Sequence, residues 1–114
     1  MIDTSKLTTE ELVKIYQNTE DEAVLEEIIT RNMGLYHVWA MEWDGLRQFT
    51  IDADDLVSEA MIETWRAISG FDCSKGFKFT TYLKKCVDQR FIRIYDHCNR
   101  KKRGSGIIML GGGA

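Results

Sequence analysis

Residues 55–93 read DLVSEAMIETWRAISGFDCSKGFKFTTYLKKCVDQRFIR. Two stretches of helical periodicity flank a short segment, FDCSKG, that has none. In the first, Leu56, Val57, Ala60, Met61, Thr64, Ala67 and Ile68 fall on one broad side at 100° per residue, with Trp65 at its edge. In the second, Leu83, Val87, Phe91, Ile94 and Cys98 form a compact apolar stripe. The pattern predicts a helix from about Asp54 to Ser69, capped by Asp52 or Asp54 and stopped by Gly70. A loop and a long helix, from about Lys78 to Arg103, follow.

The same period continues toward the N-terminus. Thr8 and Glu11 form a capping box for a short helix carrying Leu12, Ile15 and Tyr16. A second helix begins near Glu20 and carries Leu25, Ile28 and Ile29. Asn32 and Gly34 mark a bend or interruption ahead of Leu35, Val38, Trp39 and Trp43. A polar turn is expected from Asp44 to Thr50. There is no proline anywhere in the 114 residues, and no alternating run that reads as a strand pair. The expected class is all-α: a compact bundle of about four to five helices, ending in a long basic helix. Residues 1–103 form one domain, and the glycine-rich 104–114 segment is a tail or linker.

With 44% apolar residues the chain can build a core. No apolar run approaches the roughly 20 residues of a membrane span, and the N-terminus lacks the pattern of a signal peptide. Cys73, Cys86 and Cys98 are odd in number and contain no CxxC pair, which points to a reducing, cytoplasmic setting rather than a disulfide framework. The net charge of −3 conceals an asymmetry. Through Asp72 there are 16 acidic and 5 basic residues, and from Cys73 onward 2 acidic and 10 basic. Such a chain can serve two partners of opposite charge preference, or its ends can attract each other.

Two outward faces carry chemistry. Asp55, Glu59 and Glu63 lie opposite the apolar side of their helix, at i, i+4 and i+8. Like charges so spaced weaken a helix by about 0.2–0.5 kcal/mol per pair, although Arg66 can pair with Glu63. The row fits a solvated face or, with Ile62 and Trp65 beside it, a site for a basic partner. On the last helix Lys78, Tyr82, Lys85, Gln89, Arg93 and Arg100 line up opposite the apolar stripe, broken by Asp96, with Phe77 and Phe79 just above. Bases stack on aromatic rings for about 1–3 kcal/mol each while cations track phosphates. Arg and Gln also read base edges. This row fits a nucleic-acid surface better than a merely solvated one, with burial the expectation for Phe79. No phosphate loop, nucleophile elbow or zinc spacing occurs. His97 and Cys98 lie on different helix faces, and His37 reads as a partly buried helix residue. No metal, cofactor or enzymatic activity is expected.

Asp55-Leu56, Glu59, Phe71-Asp72, Gly76 and the string Lys78-Phe79-Thr80-Thr81-Tyr82, in this order and spacing, strongly resemble the second region of bacterial RNA polymerase sigma factors. The upstream IITRNMGLYHVWA is similar to that family's preceding helix, so the resemblance covers roughly residues 22–103. It implies a helical bundle with two surfaces. Asp55, Ser58, Glu59, Ile62 and Trp65 would dock on the clamp helices of the largest subunit of core RNA polymerase. Phe77, Lys78, Phe79, Thr81, Tyr82 and Lys85 would line the non-template strand of the promoter minus-ten element, with Tyr82 stacked on a flipped adenine. Gln89, Ile92 and Arg93 would face the upstream edge, and Arg100 extends the basic row.

The chain also departs from that pattern. Lys85 and Cys86 stand where primary sigma factors carry two adjacent tryptophans that wedge the duplex open. Ser58 replaces the usual glutamine. The segment looks closer to sporulation-type and phage sigma-like proteins, which implies an alternative sigma factor with weaker melting or a stricter promoter. A fourth, helix-turn-helix region is missing, so the expectation is a fragment or a subunit working beside another. An anti-sigma protein is a further possible partner. The competing readings are a sigma-like interaction module that does not open DNA, and a general single-strand binder.

Overall fold

The computed structural model describes residues 4–43, 49 and 51–108, with side chains through Arg100. Among them are four α-helices and no strand: α1 (Thr9–Thr19), α2 (Glu22–Glu42), α3 (Ala53–Gly70) and α4 (Phe79–Ile108). Short 3-10 turns cover Thr4–Lys6 and Cys73–Lys75. The polar turn expected over residues 44–50 lies, apart from Phe49, outside the described residues, as do residues 109–114. The α4 backbone runs to Ile108, past the Arg103 boundary expected from the sequence.

Local sequence accounts for most helix starts. The Thr8 hydroxyl accepts the Glu11 N–H at 3.1 Å, and the Glu11 carboxylate accepts the Thr8 N–H at 2.8 Å. The Thr8 N–H, with the Thr8 hydroxyl second, holds the Glu11 carboxyl below its ordinary range. Asp52 and Asp55 form a second reciprocal box at 3.0 and 3.1 Å, which opens α3. Asp21 caps α2 through the Ala23 N–H at 2.9 Å. Each such cap is worth about 1 kcal/mol.

No break occurs in α2. Asn32 does not interrupt the helix; it belongs to the inward face, 2% exposed, with its amide donating to the Ile28 carbonyl one turn back at 2.8 Å. Gly34 sits where an added Cβ would meet nothing within 4 Å, so it costs only propensity, about 1 kcal/mol. Counting through Asn32 puts Val24, Ile28, Asn32, Tyr36, Trp39 and Ala40 in the core. Leu35 and Val38, grouped with Trp39 and Trp43 in the sequence reading, instead point outward.

The core lies where α2, α3 and α4 meet, with α1 packed on α2 and α3. The α3 side expected to be buried is buried, apart from a half-exposed Met61. Thr64 fits there because its hydroxyl donates to the Ala60 carbonyl and accepts from the Tyr36 hydroxyl. From α4, Leu83, Val87 and Phe91 are fully buried. Each such side chain contributes about 1.5–3 kcal/mol by burial. Phe91 also meets Trp43 edge-on at 6.0 Å. Among the described residues no helix is long and apolar enough to cross a membrane.

Candidate functional site

The loop between α3 and α4 is held both by its own side chains and by those of α1. Asp72 accepts the Ser74 N–H at 2.9 Å and the Ser74 hydroxyl at 2.6 Å, and this pair of bonds keeps its carboxyl below the usual range. Gly76 follows at φ 74°, a left-handed conformation that other residues adopt only at a cost. Phe71 is buried at the root of the loop, with its ring against Phe79 at 5.2 Å and Tyr82 at 5.6 Å. Two residues of α1 hold the loop's ends. The Gln17 amide donates to the Ile68 and Phe71 carbonyls, both at 2.8 Å, and the Glu10 carboxylate accepts the Phe79 N–H at 2.7 Å. Sequence reasoning missed both, because they act across separations of 51 to 69 residues and belong to no local motif.

Over this loop opens a cavity of about 420 Å³, within the range of ligand-sized pockets. Phe77, Thr81 and Tyr82 line it together with Lys75, Lys78 and Lys85. Phe77 is 66% exposed. Tyr82 is half-buried, and burial together with the neighbouring Cys86 thiol raises its phenol above the ordinary value. Its hydroxyl lies 2.8 Å from where a Cβ on Gly70 would stand. The reason for glycine at position 70 is therefore this close approach: Gly70 has no positive φ, and the capping position falls on Phe71. Phe79 is the correction to the sequence-based site. At 0% exposure under Phe71 it shapes the cavity from beneath and cannot face a ligand.

Beyond the cavity, Gln89, Ile92, Arg93 and Arg100 are exposed and continue the same face of α4 by helical register. The described cations of α4, together with Lys78 at its entry, fall into two sets. Lys84 contacts Glu42 and Asp88, each at 2.9 Å, and lies 5.7 Å from the Trp39 ring centre; Arg90 contacts Glu59. Lys78, Lys85, Arg93 and Arg100, the row singled out by its spacing, make no ion pair among the described residues. Of the three positions at which the sequence reading found a departure from the sigma pattern, two lie here: Lys85 is exposed at the cavity and Cys86 is half-buried, its thiol pushed up by burial.

The acidic face of α3 differs from three free carboxylates in a row. Asp55 caps its own helix, Glu59 is held by Arg90 at 2.7 Å, and the Glu63 side chain is only 12% exposed, 3.8 Å from Arg66. The basic partner for the middle carboxylate is thus partly α4 itself. Ser58 is exposed on this face, beside Ile62 at 49% and Trp65 at 52%. Two large apolar side chains standing together in water beside polar neighbours are a feature of interaction surfaces. Among the described residues no group of three or more His, Cys, Asp or Glu side chains is placed to hold a metal ion.

The all-α domain thus presents a basic, ring-lined cavity at the start of one helix and an acidic, partly apolar face on its neighbour. Residues 28–104 match the sigma-70 region 2 family, and the chain belongs to it. It is accordingly a transcription-factor domain rather than an enzyme, with a sigma-factor role in transcription initiation, and the family implies binding to core RNA polymerase and promoter DNA. Comparisons with curated proteins and with solved structures find no match. The family match begins within α2, so α1 lies outside it.

Proposed function

We propose that this domain docks on the clamp helices of core RNA polymerase through α3 and holds the non-template strand of the promoter minus-ten element against α4 and its preceding loop. The docking face comprises Asp55, Ser58, Glu59, Ile62 and Trp65. The strand runs over Phe77, Lys78, Thr81, Tyr82 and Lys85, and continues along Gln89, Ile92, Arg93 and Arg100. The observation that carries this reading is the cavity lined by Phe77 and Tyr82 with Lys75, Lys78 and Lys85. It combines a ring of fixed position with cations spaced to follow a phosphate backbone.

The mechanism is capture rather than catalysis. Extruding a base costs a few kcal/mol, and stacking on Tyr82 returns about 1–3 kcal/mol. The lysines supply the rest by neutralising phosphates. With no ring at Lys85 to lean on the duplex edge, opening depends on trapping the extruded adenine, which suits an alternative sigma factor with a demanding promoter. Three to four neutralised phosphates predict a log–log salt slope of about −2 to −3 for a single strand.

The test is binding of the full chain to a labelled minus-ten-like single strand and to a random strand of equal length. Tyr82→Ala should weaken the first by about 5- to 100-fold, the worth of one stacked base, and the second far less. Equal losses on both strands would reduce Tyr82 to a packing residue.

A further inference from the structure

We infer that α1, although outside the family-matched segment, is the positioning element of the strand pocket, with Glu10 and Gln17 setting where the 71–78 loop and its rings stand. The inference rests on the proposed reading of that loop as the strand site.

Helix ends leave unsatisfied backbone groups that something must bind. At the end of α3 no left-handed residue closes the turn, since Gly70 and Phe71 both lack a positive φ. At the start of α4 the capping position is Lys78, whose side chain offers no acceptor. The loop's own chain supplies only a long bond at the α3 end, from the Phe71 N–H to the Ile68 carbonyl at 3.4 Å, and no side-chain cap at the α4 start. The remaining bonds at both ends come from α1. Gln17 donates to two carbonyls at the end of α3 and accepts weakly from the Cys73 thiol at 3.7 Å. Glu10 takes the first N–H of α4 at 2.7 Å and sets its carboxylate at the positive end of that helix. The two residues are two turns apart on α1, about 10 Å along its axis, so one rigid helix spans the gap between the two ends of the loop.

That brace is itself anchored. Leu12 and Val13 between the two contacts are fully buried. Arg31 of α2 donates to the Leu7 carbonyl at 2.6 Å and to the Thr4 carbonyl, tying down the segment that leads into α1. Phe71 and Phe79, whose backbones α1 holds, carry the rings that pack directly against each other, and Phe71 also packs against Tyr82. A shift of α1 therefore reaches Tyr82 through a single layer of side chains.

The test uses the full chain with Gln17→Glu, Glu10→Ala and Glu10→Gln. The first keeps the shape but turns a carboxylate toward two carbonyls, the second removes the acceptor, and the third keeps a neutral acceptor in place. Three quantities are read: amide hydrogen exchange over residues 71–79, binding to a single-stranded DNA carrying adenine or an abasic site at one position, and binding to core polymerase. Gln17→Glu and Glu10→Ala should exchange faster in the loop and lose adenine preference about tenfold, as for one hydrogen bond of about 1.4 kcal/mol. Core binding should hold, and Glu10→Gln should recover most of the preference. Unchanged loop exchange in both disruptive variants overturns the inference, as does a Glu10→Gln variant no better than Glu10→Ala. Should Gln17→Glu lose helicity and core binding altogether, the Glu10 pair decides. A wild-type chain with no adenine preference, but with loop exchange that still responds to these variants, would count against the strand reading and leave the brace standing.

Discussion

Arg90 of α4 grips Glu59 of α3 at 2.7 Å, with both side chains about a third exposed. The carboxylate at the centre of the proposed docking face thus also fastens the docking helix to the proposed DNA-binding helix.

Glu59→Lys should therefore do two things. It should abolish binding to core polymerase, and by setting two cations together it should cost about 1 kcal/mol of stability, or roughly 4–8 °C in melting temperature for a domain near 100 residues. The swap Glu59→Arg with Arg90→Glu separates the effects. It should restore the melting temperature while core binding stays lost. Recovery of core binding by the swap would mean that Glu59 acts only through its ion pair.

Gly70→Ala should move stability and function in opposite directions. Alanine is the better helix former by up to about 1 kcal/mol, so thermal stability should hold or rise. The new Cβ, 2.8 Å from the present position of the Tyr82 hydroxyl oxygen, must displace that ring. Affinity for the minus-ten-like strand should fall. Adding Tyr82→Phe removes the oxygen and leaves the ring carbon at 3.9 Å, an ordinary contact, so the double variant should bind better than Gly70→Ala alone. Equal binding by the two would show that Tyr82 does not govern the pocket.

Stability should decline at alkaline pH through Tyr36. Burial raises its phenol from 10.0 to about 12, against a smaller lowering by the Thr64 hydrogen bond. Above pH 10 the unfolded chain releases this proton while the folded chain keeps it, so unfolding becomes easier as pH rises. The contribution is fully present below pH 10 and lost on the way to 12, on the order of 2 kcal/mol. Denaturant unfolding at a series of pH values checks this. Tyr36→Phe should flatten much of the slope, although Tyr82, raised in the same direction, leaves some of it.

Much of this was legible in the sequence, for reasons of range. The capping box at Thr8 needs residues three positions apart, the cap of α3 was narrowed to Asp52 or Asp54, and the buried side of α3 needs only the helical period. Where the reading failed, a local rule met a tertiary override. Asn32 looks like a helix breaker, yet it turns inward and bonds to the carbonyl one turn behind it. Treating it as a break shifted the expected inward face to Leu35 and Val38, when continuous counting leads to Tyr36. Phe79 stands in the string that most resembles the sigma family's strand-binding segment, and the resemblance put it on the strand while its residue type led to burial; its packing under Phe71 agrees with burial.

By itself, then, the sequence determined the class, the presence of the helices, the buried sides of α3 and α4 and the separation of acidic from basic halves, because each follows from residue type and short-range spacing. It also carried the ordered string that marks the family. The tertiary structure alone decided which charges are spoken for and which are free, since an ion pair such as Glu59–Arg90 depends on how two helices meet. It alone decided that α1 bonds to both ends of the 71–78 loop, because hydrogen bonds across 51 to 69 residues leave no periodic trace in the chain. And it decided the position of Tyr82 over Gly70, which exists only because the end of one helix passes close to the side of the next.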